Sequence, residues 1–72
     1  MNENWVSVYT TGMRHLSEFA KQMLLDNEIP AVIVNKKDSS YLFGEIEVYV
    51  RQKDVIEAKY YIEQFEKNIS ID

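Results

Sequence analysis

The 72-residue chain contains no cysteine, one proline, two glycines and one histidine. Without cysteine, neither a disulfide nor a thiolate metal site can form. Because small secreted domains usually need disulfides, we expect a cytoplasmic protein. With His15 as the only histidine and no serine in a nucleophile motif, triad chemistry has no candidates, and Gly12 and Gly44 form no phosphate-binding pattern. These shortages predict a protein that is not an enzyme and that uses no cofactor and no metal.

Basic residues are also few. The chain has 8 Lys and Arg but 12 Asp and Glu, and its formal net charge is −4. Nonspecific nucleic-acid binding needs a basic footprint, and anionic membranes repel an acidic chain. The longest apolar run, residues 29–34, is too short to cross a bilayer. Residues 1–4 lack the basic and apolar regions of a signal peptide. We therefore expect neither nucleic acid nor membrane as a partner.

The residues that are present are typical of one small globular domain, with 46% apolar and 28% charged side chains. We expect this domain to span residues 1–72, with its core in about 4–67. A core of this size supports about 3–5 kcal/mol of stability in a monomer, so self-association would be a simple way to raise it.

Side-chain periodicity predicts three strands and two helices. Strands are expected at 5–10, 31–34 and 44–50, and helices at about 13–27 and 52–67. Residues 69–71 form either a short fourth strand or a frayed tail. The predicted core stripe of the first helix consists of Met13, Leu16, Phe19, Ala20, Met23 and Leu24, and that of the second of Val55, Ala58, Ile62 and Phe65, with Ile69 as an optional last member.

The order β-α-β-β-α, with an optional last strand, predicts a ferredoxin-like α+β sandwich. We expect both helices on one face of a three-stranded sheet, because right-handed crossovers bring both apolar stripes to the same side. We also expect the first and third strands to run parallel at the centre, with the second strand antiparallel beside the third.

Three segments of the chain carry a family resemblance. They are Trp5-Val6-x-Val8-Tyr9-Thr10-Thr11, Ile29-Pro30-Ala31 and, most specifically, Asp38-Ser39-Ser40-Tyr41-x-x-Gly44-Glu45-Ile46-Glu47-Val48-Tyr49-Val50. Together they resemble a bacterial family named "putative signal transducing protein", a domain of unknown function. The resemblance implies a ferredoxin-like fold similar to that of the trimeric nitrogen-regulatory PII proteins, but no established activity.

Two positions depart from the pattern of that family. Glu28 stands where the family usually has glycine, so we expect Asn27 to adopt the left-handed conformation that closes the first helix. Arg51 stands where proline often opens the second helix, which leaves the start of that helix less well defined.

The alternation of the strands predicts a sheet face without helices, which is the first candidate site. We expect it to carry Trp5, Ser7, Tyr9, Glu45, Glu47 and Tyr49, joined by either residues 31, 33 and 35 or residues 32 and 34. Large aromatic side chains on an uncovered face indicate a contact surface. We predict a protein interface, most simply that of a homo-oligomer. The alternative is a monomer in which the aromatics shield the sheet or the C-terminal tail folds over them.

Two other functions of the same face are less well supported. Sheet aromatics stack bases in some RNA-binding modules, but Glu45, Glu47 and the net charge oppose phosphate. The two carboxylates lie at a spacing that also suits acid/base work or a divalent cation. Because no converging groups accompany them, ordinary solvated strand positions are the favoured interpretation.

The loop between the second and third strands is the second candidate site. The resemblance implies that it corresponds to the partner-contacting loop of PII proteins. Its candidate binding residues are Lys36 and Lys37, which suit an anion, and Asp38, Ser39, Ser40 and Tyr41, which offer donors and acceptors. The alternative is a turn that these side chains fasten to itself.

These observations leave two functional hypotheses. The leading one is a noncatalytic regulatory or protein-interaction module whose partner is another protein or a second copy of itself. The other is a PII-like sensor that binds a small ligand at the 36–43 hairpin or at a subunit junction.

Overall fold

The computed structural model describes residues 4–36 and 45–69. In chain order, the elements are strand β1 (Trp5–Thr11), helix α1 (Arg14–Asp26), strands β2 (Ala31–Asn35) and β3 (Ile46–Arg51), a 3-10 turn (Gln52–Asp54) and helix α2 (Val55–Ile69). This β-α-β-β-α order confirms the predicted ferredoxin-like α+β fold. The strand boundaries lie within one or two residues of those expected from side-chain alternation.

The sheet has the order β1-β3-β2, and β3 is antiparallel to both of its neighbours. The prediction that the first and third strands are parallel is therefore wrong. The crossover through α1 returns the chain so that β2 runs in the direction of β1. The β2–β3 hairpin then reverses the chain and inserts β3 between the other two strands, which requires antiparallel pairing on both sides.

Both helices pack against the same face of this sheet and share one core with it. The cluster of buried residues comprises Tyr9, Ala20, Leu24, Ile29, Ala31, Val48, Val50, Ala58 and Ile62. Val48, Val50, Leu24 and Ala58 have no exposed surface at all. Because β3 is the central strand, its side chains form the middle of the core, as expected for a two-layer sandwich.

A β-bulge in β1 changes which side chains of that strand face the core. Ser7 lies opposite Tyr49, but Tyr9 lies opposite Val48, so Val8 is an extra residue in β1. An extra residue reverses the alternation that follows it. Tyr9 is consequently only 7% exposed, and its placement on the uncovered face is wrong. Its ring contacts that of Phe65 edge to face, with 5.5 Å between the centroids.

The predicted core stripe of α1 is correct at Ala20 and Leu24 and wrong at Met13 and Phe19. Ala20 and Leu24 are fully buried, but Met13 is 56% exposed and Phe19 is 58% exposed. The buried position in that part of the helix belongs to Ser17, whose hydroxyl donates to the Arg14 carbonyl at 2.6 Å. A hydroxyl satisfied within its own helix can be buried, so this small side chain is enclosed while the larger Met13 and Phe19 are exposed.

Helix α1 ends in a Schellman motif. The Ile29 N–H donates to the Leu24 carbonyl and the Glu28 N–H to the Leu25 carbonyl, both at 2.9 Å. Such an ending needs one left-handed residue, and that residue is Glu28, with φ 64°. Asn27 has φ −100°, so the prediction of a left-handed Asn27 is wrong. Its side-chain amide instead donates to the Met23 carbonyl.

Helix α2 begins through the 3-10 turn that follows β3. Arg51 has φ −69°, close to the value that proline would impose, and its Nε donates to Asp54 Oδ2 at 3.1 Å. Helix α2 includes Ile69, so of the two alternatives left open for this segment, a fourth strand that begins at Ile69 does not hold. The rest of that predicted segment, residues 70–72, lies outside the described residues.

Candidate functional site

The sheet face opposite the helices is named here the outer face. Its members in the described ranges are Trp5, Ser7, Thr10, Val32, Val34, Glu45, Glu47, Tyr49 and Arg51, as the pairing and alternation of the strands require. Of the two sets that the sequence left open for the second strand, Val32 and Val34 belong to the outer face, while Ala31 and Ile33 pack against the core. In residues 4–36 and 45–69, both helices lie on the other side.

Glu47 is the centre of a hydrogen-bonded group on the outer face. The Tyr49 hydroxyl donates to Glu47 Oε1 at 2.6 Å, and Lys36 Nζ lies 3.3 Å from the same oxygen. The Glu47 side chain is 16% exposed, whereas that of Lys36 is 48% exposed. The interpretation of Glu45 and Glu47 as ordinary solvated positions therefore fails for Glu47, although Glu45 is exposed.

The pKa values of this group reflect the same contacts. The Tyr49 hydroxyl holds the pKa of Glu47 below its ordinary value; Lys36 and Ser7 add to this lowering, and burial opposes it. In turn, hydrogen bonding to the Glu47 carboxylate and to Tyr49 raises the pKa of the Lys36 amine. Both shifts favour the charged forms. At neutral pH the group is an ion pair with a tyrosine as additional donor.

Exposed apolar side chains lie on both sides of this polar group. On β1, Trp5 is 41% exposed, and on β2, Val32 is 42% and Val34 38% exposed. The central strand thus carries the charged group of the outer face, and the large exposed apolar side chains lie on the two edge strands. Protein contact surfaces combine apolar area with oriented hydrogen-bonding groups, and the outer face offers both.

The loop candidate is described only at its base. The Lys36 N–H donates to the Glu45 carbonyl at 2.8 Å, which closes the β2–β3 hairpin. The Lys36 amine is directed to Glu47 on the outer face. The remaining candidates of the loop, Lys37, Asp38, Ser39, Ser40 and Tyr41, lie outside the described residues. Anion or ligand binding by this loop stays a prediction.

The described residues contain no group of three or more histidine, cysteine, aspartate or glutamate side chains that could hold a metal ion. His15 is exposed on α1, where its ring meets Phe19 edge to face at 6.1 Å. Within the same ranges, neither helix has the length and apolarity needed to cross a bilayer.

Sequence reasoning missed two features of the outer face. Tyr9 lies in the core and not on the outer face because of the bulge at Val8. Only the pairing of β1 with β3 reveals this bulge. The Lys36–Glu47 contact joins β2 to β3 and follows from the register of those strands. Alternation in β3, with Glu47 and Tyr49 two residues apart, was the signal that could have indicated their hydrogen bond.

Comparison with known proteins gives one result. A family model described as "Putative prokaryotic signal transducing protein" matches residues 5–66, from the first residue of β1 to the last part of α2. No curated protein and no solved structure matches the chain. The family match covers all three strands and α1, and it confirms the resemblance inferred from the strand and hairpin motifs. The chain belongs to the family described as "Putative prokaryotic signal transducing protein".

Proposed function

We propose that this protein is a noncatalytic interaction module of signal transduction that binds a protein, either another protein or a second copy of itself, through the outer face of its sheet. The observation that carries the proposal is the exposure of Trp5, Val32 and Val34 around the ordered Glu47 group. Tryptophan and tyrosine are enriched where proteins bind one another, because they combine apolar area with a hydrogen-bonding tip.

The charges of the outer face favour a protein over a nucleic acid. Glu47 is held in its charged form by Tyr49 and Lys36, and the chain has a formal net charge of −4. A phosphate backbone would meet a carboxylate near the centre of the surface, which electrostatic repulsion opposes. Because Tyr49 and Lys36 already bond the Glu47 carboxylate, a protein surface can contact this group without leaving a buried charge unpaired.

Site-specific photocross-linking tests the proposal with two matched positions. Trp5 on the outer face and Tyr60 on α2 are both exposed aromatics, at 41% and 58%. Each is replaced in turn by p-benzoylphenylalanine in the full chain, which is then irradiated in the cells that produce it. Both substitutions exchange one exposed aromatic for another, so the fold should be retained in each.

The proposal expects cross-linked products from position 5 and few from position 60. A product with the mass of two copies indicates self-association through the outer face, and one with a larger or smaller added mass indicates another protein. Equal yields at the two positions, or products only from position 60, would contradict the proposal, because they would place the contact surface elsewhere or make the contacts nonspecific.

A further inference from the structure

In the part of the chain that the structure describes, the sheet has two edge strands, β1 and β2, and they differ in how well they are protected from pairing. Edge strands in native proteins carry charges, prolines or bulges that discourage further strands. Strand β1 has the bulge at Val8. Strand β2 consists of Ala31–Asn35, with the sequence AVIVN, and contains neither charge nor proline. Its register with β3 is regular over all five residues. Of the two edges, β2 is the one better suited to accept another strand.

The hydrogen bond at the end of β2 determines which backbone groups point outward. The Lys36 N–H donates to the Glu45 carbonyl, and Val34 and Val32 follow at steps of two in the same register. In an antiparallel pair, alternate residues bond to the partner strand and the residues between them point away. The N–H and C=O groups of Val32 and Val34 therefore point to β3, and those of Ala31 and Ile33 point to the open edge.

We propose that β2 pairs antiparallel with β2 of a second copy of this chain, about a two-fold axis at Ile33. In this register the outward N–H and C=O of Ile33 bond to the same groups of the other copy, so the interface is self-complementary. Val32 of each copy lies opposite Val34 of the other, on the outer face. Both side chains are exposed in the single chain, at 42% and 38%, and cross-strand pairs of β-branched residues stabilise a sheet.

The charges at the ends of β2 favour this orientation. Glu28 is exposed and precedes the strand, while the Lys36 side chain, 48% exposed, follows it. Antiparallel pairing brings the Lys36 end of one copy beside the Glu28 end of the other. Parallel pairing would place like charges side by side, which is unfavourable. The uncharged centre of the strand adds no repulsion, despite the net charge of −4 on each chain.

The dimer paired through β2 contains a continuous six-stranded sheet with the helices of both copies on one side. The outer faces of the two copies then form one surface, twice as wide as that of the single chain. Trp5 lies on the far edge, about 14 Å from the added strand at three strand spacings. Cross-linking from position 5 therefore reports on the outer face and not on the β2 edge, so either proposal can fail without the other.

Amide hydrogen exchange of the full chain, followed by NMR over a range of protein concentrations, tests the pairing. Val32 and Val34 amides bond to β3 and should be protected at every concentration, which makes them internal controls. The Ile33 amide should exchange freely in dilute protein and about tenfold more slowly once about 90% of the chains are paired. Because a five-residue edge buries little area, this requires concentrations approaching about 1 mM. Free exchange of Ile33 at all concentrations would overturn the proposal, whether or not the protein is a dimer.

Two double variants test the register. Val32→Lys with Val34→Asp places opposite charges against each other across the two-fold axis, whereas Val32→Asp with Val34→Asp places like charges there. All the substitutions are at exposed outer-face positions, and the two variants differ only at residue 32. The proposal expects the first variant to dimerise at least about tenfold more tightly than the second in sedimentation equilibrium. Equal affinities, or tighter dimerisation of the second variant, would exclude this register.

Discussion

Replacing Glu28 by glycine should stabilise the protein. Glu28 has φ 64° and occupies the position in the Schellman motif that glycine usually takes. A left-handed conformation costs a residue with a Cβ about 1–2 kcal/mol. Glycine avoids this cost, but its greater freedom in the unfolded chain lowers the free energy of unfolding by about 0.4–1 kcal/mol. The free energy of unfolding should therefore rise by about 0.5–1 kcal/mol in Glu28→Gly.

For a domain of this size, that gain corresponds to a rise in Tm of about 3–6 °C. Urea denaturation and thermal unfolding, both followed by circular dichroism, measure the two quantities. The measurements belong at low protein concentration, because any self-association would add to the apparent stability. The m-value should stay unchanged, since the substitution alters the native backbone and not the surface exposed on unfolding.

Glu28→Ala is the matched control, because it removes the carboxylate from the negative end of α1 but retains the Cβ. The difference between the glycine and alanine variants therefore isolates the backbone conformation. Gly12 has no positive φ, so Gly12→Ala should not destabilise the protein. If Glu28→Gly proves no more stable than Glu28→Ala, residue 28 is not left-handed and the described end of α1 is wrong.

Three further predictions concern the core and the ionisable groups. Leu24→Ala should lower the free energy of unfolding, measured by urea denaturation, by about 3 kcal/mol, because Leu24 is fully buried. Phe19→Ala should lower it by less than about 1 kcal/mol. The reverse order would contradict the packing of α1. Burial raises the pKa of Tyr9, so with rising pH this tyrosine ionises in the unfolded chain before it does in the folded one. Stability should therefore fall above about pH 10. Tyr9→Phe should reduce this fall, and an unchanged fall would refute the burial of Tyr9. Tyr49→Phe should raise the pKa of Glu47 toward its ordinary value in an NMR titration, since the Tyr49 hydroxyl is the main cause of its lowering; an unaltered titration would exclude their hydrogen bond.

The Glu47 shift also implies a pH dependence of stability at the acidic end. The folded pKa lies below the unfolded value, so the contribution is present above the unfolded pKa and is lost as the pH falls through the folded pKa. Tyr49→Phe should therefore lose less stability than the wild type on acidification. The comparison uses the same urea denaturation series at several pH values.

The overall fold could be predicted from the sequence because local patterns and hydrophobic burial agree. Alternation identified β3, and helical spacing identified Leu24 and Ile62 as core residues. These signals depend on each segment facing a single core. They are independent of which strand pairs with which, so they could not reveal that β3 is inserted antiparallel between β1 and β2.

The candidate site was predicted in outline and wrong in detail for the same reason. Trp5, Ser7, Glu47 and Tyr49 follow simple alternation and lie on the outer face. Tyr9 does not, because the bulge at Val8 reverses the alternation, and a bulge is a property of two paired strands. The ion pair between Lys36 and Glu47 likewise needs the β2–β3 register. A pattern within one segment carries no information about either.

The fluorescence of Trp5 tests most directly whether binding occurs at the outer face. Trp5 is the only tryptophan, and its side chain is exposed there. Acrylamide quenching is measured with and without the protein that cross-links to this chain, or, if that is the chain itself, at low and high concentration. A control chain with Trp5→Phe and Tyr60→Trp moves the probe to α2. We expect binding to protect Trp5 from quenching and to leave the control unchanged. Protection of the control alone, or unchanged quenching of Trp5 at saturation, would contradict this expectation.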